Sequence, residues 1–125
     1  MAWTIRFHAA FMDEFGDLSE AVQEELLAVA KLLGDFGPQL GRPHVDTLNG
    51  SDFANMKELR FVADDGVWRV AFAFDPKRDG ILLVAGDKSG GSEPKFYKRL
   101  IKKADERYRQ HLHQLQAEKP AKKGK

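Results

Sequence analysis

Glu58, Arg60 and Arg69 are the residues whose types and spacing could do chemistry together. In residues 67–74, Trp68, Val70, Phe72 and Phe74 share one side of a strand, and Val67, Arg69, Ala71 and Ala73 share the other. The aromatic side is expected to be core and the reverse side nearly flat, with two alanines leaving room around one arginine. In residues 56–62, Leu59 and Phe61 belong with the aromatic side, which sends Met56, Glu58, Arg60 and Val62 to the reverse. The intervening Ala63-Asp64-Asp65-Gly66, with its Asp-Gly pair, is a hairpin signal that makes the two strands neighbours. Arginines fixed on a rigid sheet grip phosphate bidentately and stabilise developing negative charge. A cross-strand Glu–Arg pair on a solvated sheet would use the same residues. Spacing alone leaves both readings open.

Other candidates are weaker. His8, His44, His111 and His113 lack the spacing of a metal site, and the last two, two apart on a helix, cannot face each other. Residues 86–91, Gly-Asp-Lys-Ser-Gly-Gly, are glycine-rich without the Gly-Lys-Ser/Thr of a phosphate loop. No Gly-x-Ser-x-Gly elbow occurs. With no cysteine, disulfides, thiol catalysis and thiolate zinc sites are excluded.

The elements that must position the candidates follow from periodicity. Trp3, Ile5 and Phe7 alternate with polar residues as in a half-buried strand. A short helix over Ala9 to Phe15 breaks at Gly16. A second, capped by Asp17 or Ser19, runs to about Phe36 with Leu18, Val22, Leu26, Val29, Leu33 and Phe36 as one stripe. Residues 37–55 hold three glycines and two prolines and are expected to be loop, anchored by Leu40, Val45, Leu48 and Phe53. Strands are expected over 56–62, 67–74 and 81–85, the last apolar throughout and therefore interior. A final helix over about 93–116 has Phe96, Leu100, Ala104, Tyr108 and Leu112 on its apolar side. The order β-α-α-β-β-β-α indicates an α+β fold: a small antiparallel sheet with an N-terminal helix pair and a C-terminal helix.

A length of 125 residues suits one domain, read here as residues 1–116 followed by a disordered basic tail, 117–125. No apolar run approaches the ~20 residues of a membrane span, and the N-terminus lacks a secretory signal, so a cytoplasmic setting is expected. The net charge of +1 conceals an asymmetry. Residues 1–36 carry two basic and seven acidic side chains, whereas residues 93–125 carry eleven and four. A basic C-terminal third suggests a polyanion partner, although lysine-rich helices are also ordinary solvated surface.

Taken in order, Met56-Lys57-Glu58-Leu59-Arg60, Val67-Trp68-Arg69-Val70-Ala71-Phe72, Gly86-Asp87-Lys88-Ser89, Lys95-Phe96-Tyr97 and Ala104-Asp105-Glu106-Arg107-Tyr108 form a familiar series. The chain over about residues 3–116 resembles the phage-derived, HigB-like branch of the RelE/ParE superfamily, the toxins of type II toxin–antitoxin modules. The resemblance implies a metal-independent and cofactor-free endoribonuclease that cleaves mRNA in the ribosomal A site, the ribose 2′-oxygen attacking its own 3′-phosphate. It also implies a helix-turn-helix antitoxin of the HigA type as partner, with ribosome and mRNA as targets and DNA engaged only through the antitoxin. By position, Arg69 and Arg60 would hold the phosphate. Lys88 would supply the basic residue after the last strand, and Tyr97 the C-terminal tyrosine. Glu58 departs from the lysines of RelE itself; it would act as general base or orient Arg60. Lys95, Lys98, Arg99 and Lys102 would contact RNA, and His44 lies in a loop that could reach the site. A ParE-like gyrase inhibitor and an inactive phage-borne binding protein are the alternatives within the same fold.

Overall fold

His8 and Ser19 set the two N-terminal helices. The His8 imidazole Nδ1 accepts from the Ala10 amide at 3.1 Å and starts α1, Ala9–Phe15. The Ser19 hydroxyl accepts from the Val22 amide at 3.3 Å and starts α2, Glu20–Phe36. Val22, Leu26, Val29 and Leu33 are buried as the stripe requires, but Phe36 is 55% exposed. The helix stops there because Gly37 turns the chain at φ 62°, against the Trp3 indole, where a Cβ would have no space.

The computed structural model describes residues 2–118. The strand β1, Ile5–Phe7, precedes both helices; after α2 come a 3-10 turn, Gly37–Gln39, and four more strands, β2 Val45–Thr47, β3 Lys57–Ala63, β4 Gly66–Phe74 and β5 Gly80–Asp87. The last helix, α3, spans Glu93–Glu118, two residues past the boundary expected for the domain; the rest of the basic tail, 119–125, lies outside the described residues.

The sheet order is β1-β5-β4-β3-β2. Two features correct the sequence reading. Residues 37–55 are not all loop: Val45, Asp46 and Thr47 pair antiparallel with Leu59, Glu58 and Lys57. The sheet is also mixed, since β1 joins β5 in parallel, after a crossover through the helix pair and the meander. The expected anchors Leu40, Val45, Leu48 and Phe53 do pack against the core.

The β3–β4 hairpin forms as expected, with a different turn chemistry. Asp64 and Asp65 are its central residues, at φ 53° and 62°, and Ala63 opposes Gly66. Gly66 serves space: a Cβ there would meet the Trp68 indole and the Asp87 carboxylate.

The largest correction concerns the reverse face of the sheet. It is not open. α1 and α2 cover the face carrying Leu59, Val70, Phe72 and Leu82, while α3 covers the face carrying Ala71, Ala73, Ile81 and Leu83. Ala71 and Ala73 are fully buried; their small side chains are the seat on which α3 lies. A bulge in β5 opposite Ala71/Phe72 turns Leu83 and Val84 both toward α3. The sheet is thus the middle layer of three, and Glu58 and Arg69 sit where α3 begins.

Candidate active site

Arg60 and Arg69 are direct cross-strand partners, and Glu58 is opposite Ala71 in the same hairpin. Strand parity therefore brings the three side chains to one face, as the alternation indicated. The N-terminal turns of α3 cross that end of the face and add Tyr97.

The geometry centres on Glu58, which is 6% exposed. Its Oε1 accepts the Tyr97 hydroxyl at 2.9 Å and lies 3.8 Å from Arg69 Nε; its Oε2 lies 4.0 Å from Arg60 Nε. Arg69 Nε also donates to the Tyr97 oxygen at 3.3 Å, and its Nη1 donates to the Trp68 carbonyl at 2.9 Å. Glu58, Arg69 and Tyr97 thus form a closed triangle with a fixed rotamer at each corner. Lys88, on the loop after β5, places its ammonium 5.9 Å from the Tyr97 ring centroid and pairs with Glu93 at 3.3 Å.

Burial dominates the electrostatics. It pushes the Glu58 carboxyl above its ordinary value, against the opposing pull of the Tyr97 hydrogen bond and of Arg69 and Arg60. Burial also raises the Tyr97 hydroxyl above its usual 10, only partly offset by the hydrogen bond from Arg69. Tyr97 is therefore a neutral phenol at physiological pH. Beside it stand two guanidiniums and an ammonium, a site suited to an anion.

All five residues singled out as catalytic candidates fall in this cluster. Lys95, Lys98, Arg99 and Lys102 are exposed on α3, and among the described residues none pairs with a carboxylate. Of the four, Arg99 lies on the flank facing β5, in a cleft with Asp87 and Lys103. His44 does reach the cluster's edge, where it lines a groove with Arg60 and Arg69. Sequence reasoning missed Asp46. It stands 3.8 Å from Arg60 and 2.8 Å from Arg42, held below its ordinary pKa chiefly by the Thr47 amide. A three-residue strand carries too short a pattern to have signalled it. Among the described residues, no three His, Asp or Glu side chains converge to hold a metal ion.

A family model described as phage-derived protein, Gp49-like (DUF891), matches residues 13–109, from α1 through most of α3 and so across the whole cluster. The chain belongs to the Gp49-like phage-derived family. Two relatives from Mycobacterium tuberculosis are similar to this Gp49-like chain. The putative toxin HigB2 is 42% identical over 104 residues, 82% of the chain and 51% of HigB2. The putative toxin HigB3 is 44% identical over 93 residues, 74% of the chain and 79% of HigB3. The chain thus spans about half the length of the first of these relatives. A double mutant of the E. coli toxin RelE in its free state shares the fold, with a TM-score of 0.57 over 82% of the chain and 97% of RelE, at 14% identity.

Proposed function

We propose that this Gp49-like chain is the toxin of a type II toxin–antitoxin pair and acts as an mRNA endoribonuclease on the ribosome. The observation that carries the reading is the triangle of Glu58, Arg69 and Tyr97 with Arg60 and Lys88 beside it. The names of the HigB and RelE neighbours support the toxin class.

The chemistry follows from the hydrogen-bond chain. The Tyr97 hydroxyl is half-buried, while Glu58 lies behind it. The ribose 2′-hydroxyl gives its proton to the Tyr97 oxygen as Tyr97 passes its own proton to Glu58. The elevated proton affinity of Glu58 makes it an effective final acceptor. The 2′-oxygen attacks the adjacent phosphorus, and Arg60 and Arg69 hold the non-bridging oxygens as charge accumulates. The bond to the 5′-oxygen breaks, and the Lys88 ammonium supplies that oxygen with a proton. The products are a 2′,3′-cyclic phosphate and a 5′-hydroxyl, with atoms and protons balanced. An antitoxin partner would silence this site until released.

The reading is tested by adding purified protein to ribosomes stalled on a defined mRNA and mapping the RNA ends. Cuts within the A-site codon are expected. Intact mRNA from a protein that still arrests growth on induction would move the target to gyrase or another protein; intact mRNA without arrest would leave an inactive binding protein.

A further inference from the structure

Asp46 of β2 stands directly opposite Glu58 of β3, and like charges so placed repel. Both carboxylates approach the same guanidinium. Arg60 Nη1 lies 3.8 Å from Asp46 Oδ2, and Arg60 Nε lies 4.0 Å from Glu58 Oε2. Neither approach is short enough for a hydrogen bond, and the buried Arg60 Nε has no such partner among the described residues. Arg60 is therefore divided between two anions and closed on neither. Arg69, by contrast, is closed on Tyr97 and on the Trp68 carbonyl.

Asp46 is the fixed member of the group. Its Oδ1 accepts from the Thr47 amide at 2.8 Å, and its Oδ2 accepts from Arg42 Nη2 at 2.8 Å. We propose that Asp46 is a positioning residue: it holds the Arg60 guanidinium off Glu58 and so keeps Glu58 free to take a proton. The inference rests on the reading of Glu58 as the final acceptor in cleavage.

The reason is what Arg60 would do otherwise. With no competing anion, a guanidinium and a carboxylate close to about 2.8 Å, often as a bidentate pair. Closed on Glu58, Arg60 would stabilise the carboxylate, weaken it as a proton acceptor and leave the phosphate one arginine short. The groups that act on Glu58 are Tyr97 of α3, Arg69 of β4, Arg60 of β3 and Asp46 of β2. Only Asp46 is negative, and its charge adds to the proton affinity that burial gives Glu58. The Thr47 amide and Arg42 hold the Asp46 carboxyl below its ordinary range, so Asp46 is charged while Glu58 titrates. Arg42, 75% exposed, works against Asp46 by drawing on the same oxygen.

The test follows the Glu58 carboxyl carbon by NMR across pH in isotope-labelled full-length protein, its signal assigned by its loss in Glu58→Gln. A-site cleavage rates are measured over the same range. Asp46→Asn keeps an acceptor for the Thr47 amide and removes the charge. It should lower the Glu58 midpoint by about one pH unit and the cleavage plateau about tenfold. Arg42→Gln leaves Asp46 uncompensated and should move the midpoint upward. Lost packing would not produce shifts of opposite sign. In an Arg60→Gln background the Asp46→Asn shift should shrink to less than about half, because most of it passes through Arg60. An unmoved midpoint in Asp46→Asn, shifts of one sign in both variants, or a full shift without Arg60 would overturn the proposal. Opposite shifts in a protein that leaves ribosomal mRNA intact would support the hold of Asp46 on Glu58 and sink the cleavage reading. Cleavage with an unmoved midpoint would sink the Asp46 role alone.

Discussion

The Tyr97 hydroxyl, on the second turn of α3, donates to Glu58 Oε1 of β3 at 2.9 Å and joins positions 39 residues apart. The bond ties the helix that covers the sheet to the strand pair that carries the arginines. Burial raises the proton affinity of both groups in the folded chain. Consequences for stability and for rate can be separated.

Glu58 takes up a proton more readily in the folded chain than in the unfolded one, because burial penalises its charge. Its favourable contribution is therefore complete below the unfolded value and is lost as pH rises through the elevated folded value. Glutamine does not titrate. Thermal melts should show Glu58→Gln gaining on the wild type as pH rises from about 4 to about 7. A gap independent of pH would contradict the burial account.

Arg69 is 5% exposed and uses both Nε and Nη1, a geometry an ammonium cannot reproduce. Arg69→Lys keeps the charge and most of the volume. It should lower the cleavage rate about 10²- to 10³-fold while the melt shows a folded protein. Loss of folding would make Arg69 structural first.

Gly86 lies under Phe96: a Cβ there would stand 2.8 Å from the ring, which is itself buried against the sheet. Gly86→Ala should push the first turns of α3 away and cost about 1–3 kcal/mol. Because Tyr97 follows Phe96, the same change should slow cleavage more than the stability loss explains, read as a fall in rate well below the melting temperature.

Asp105, also buried, accepts from the Ser51 hydroxyl and from the Asp52 amide and so clamps residues 48–55 to α3. Asp105→Ala should cost about 2 kcal/mol in chemical denaturation and raise amide exchange in that segment. Exchange unchanged there would show that Phe53 on Tyr108 suffices as the anchor.

Periodicity revealed α1, α2, α3 and the three long strands because each is long enough to repeat its pattern, and of the two candidate caps, Asp17 and Ser19, it is Ser19 that starts α2. The same alternation placed Glu58, Arg60 and Arg69 on one face. It could not reveal what covers that face. Ala71 and Ala73 read as open space in one dimension and are the seat of α3 in three. Nor could it reveal β2, whose three residues are held by pairing with Leu59, Glu58 and Lys57 rather than by a pattern of their own. The parallel pairing of β1 with β5 likewise depends on contacts some 75 residues apart in the chain. Lys88 and Tyr97 were linked to the arginines by family resemblance alone, since a loop and a helix turn carry no parity relation to a hairpin. The Gly-rich segment 86–91 proved to be the connection that lets Lys88 reach Tyr97.

The central claim is that Tyr97 and Glu58 act as one proton relay, and rates on programmed ribosomes test it most directly. Single-turnover A-site cleavage would be compared for the wild type, Tyr97→Phe, Glu58→Gln and the double variant. A relay predicts that each single change costs about 10²- to 10⁴-fold and that the double variant loses little more than the worse single. Losses that multiply, or a Glu58→Gln variant as fast as the wild type, would contradict the relay.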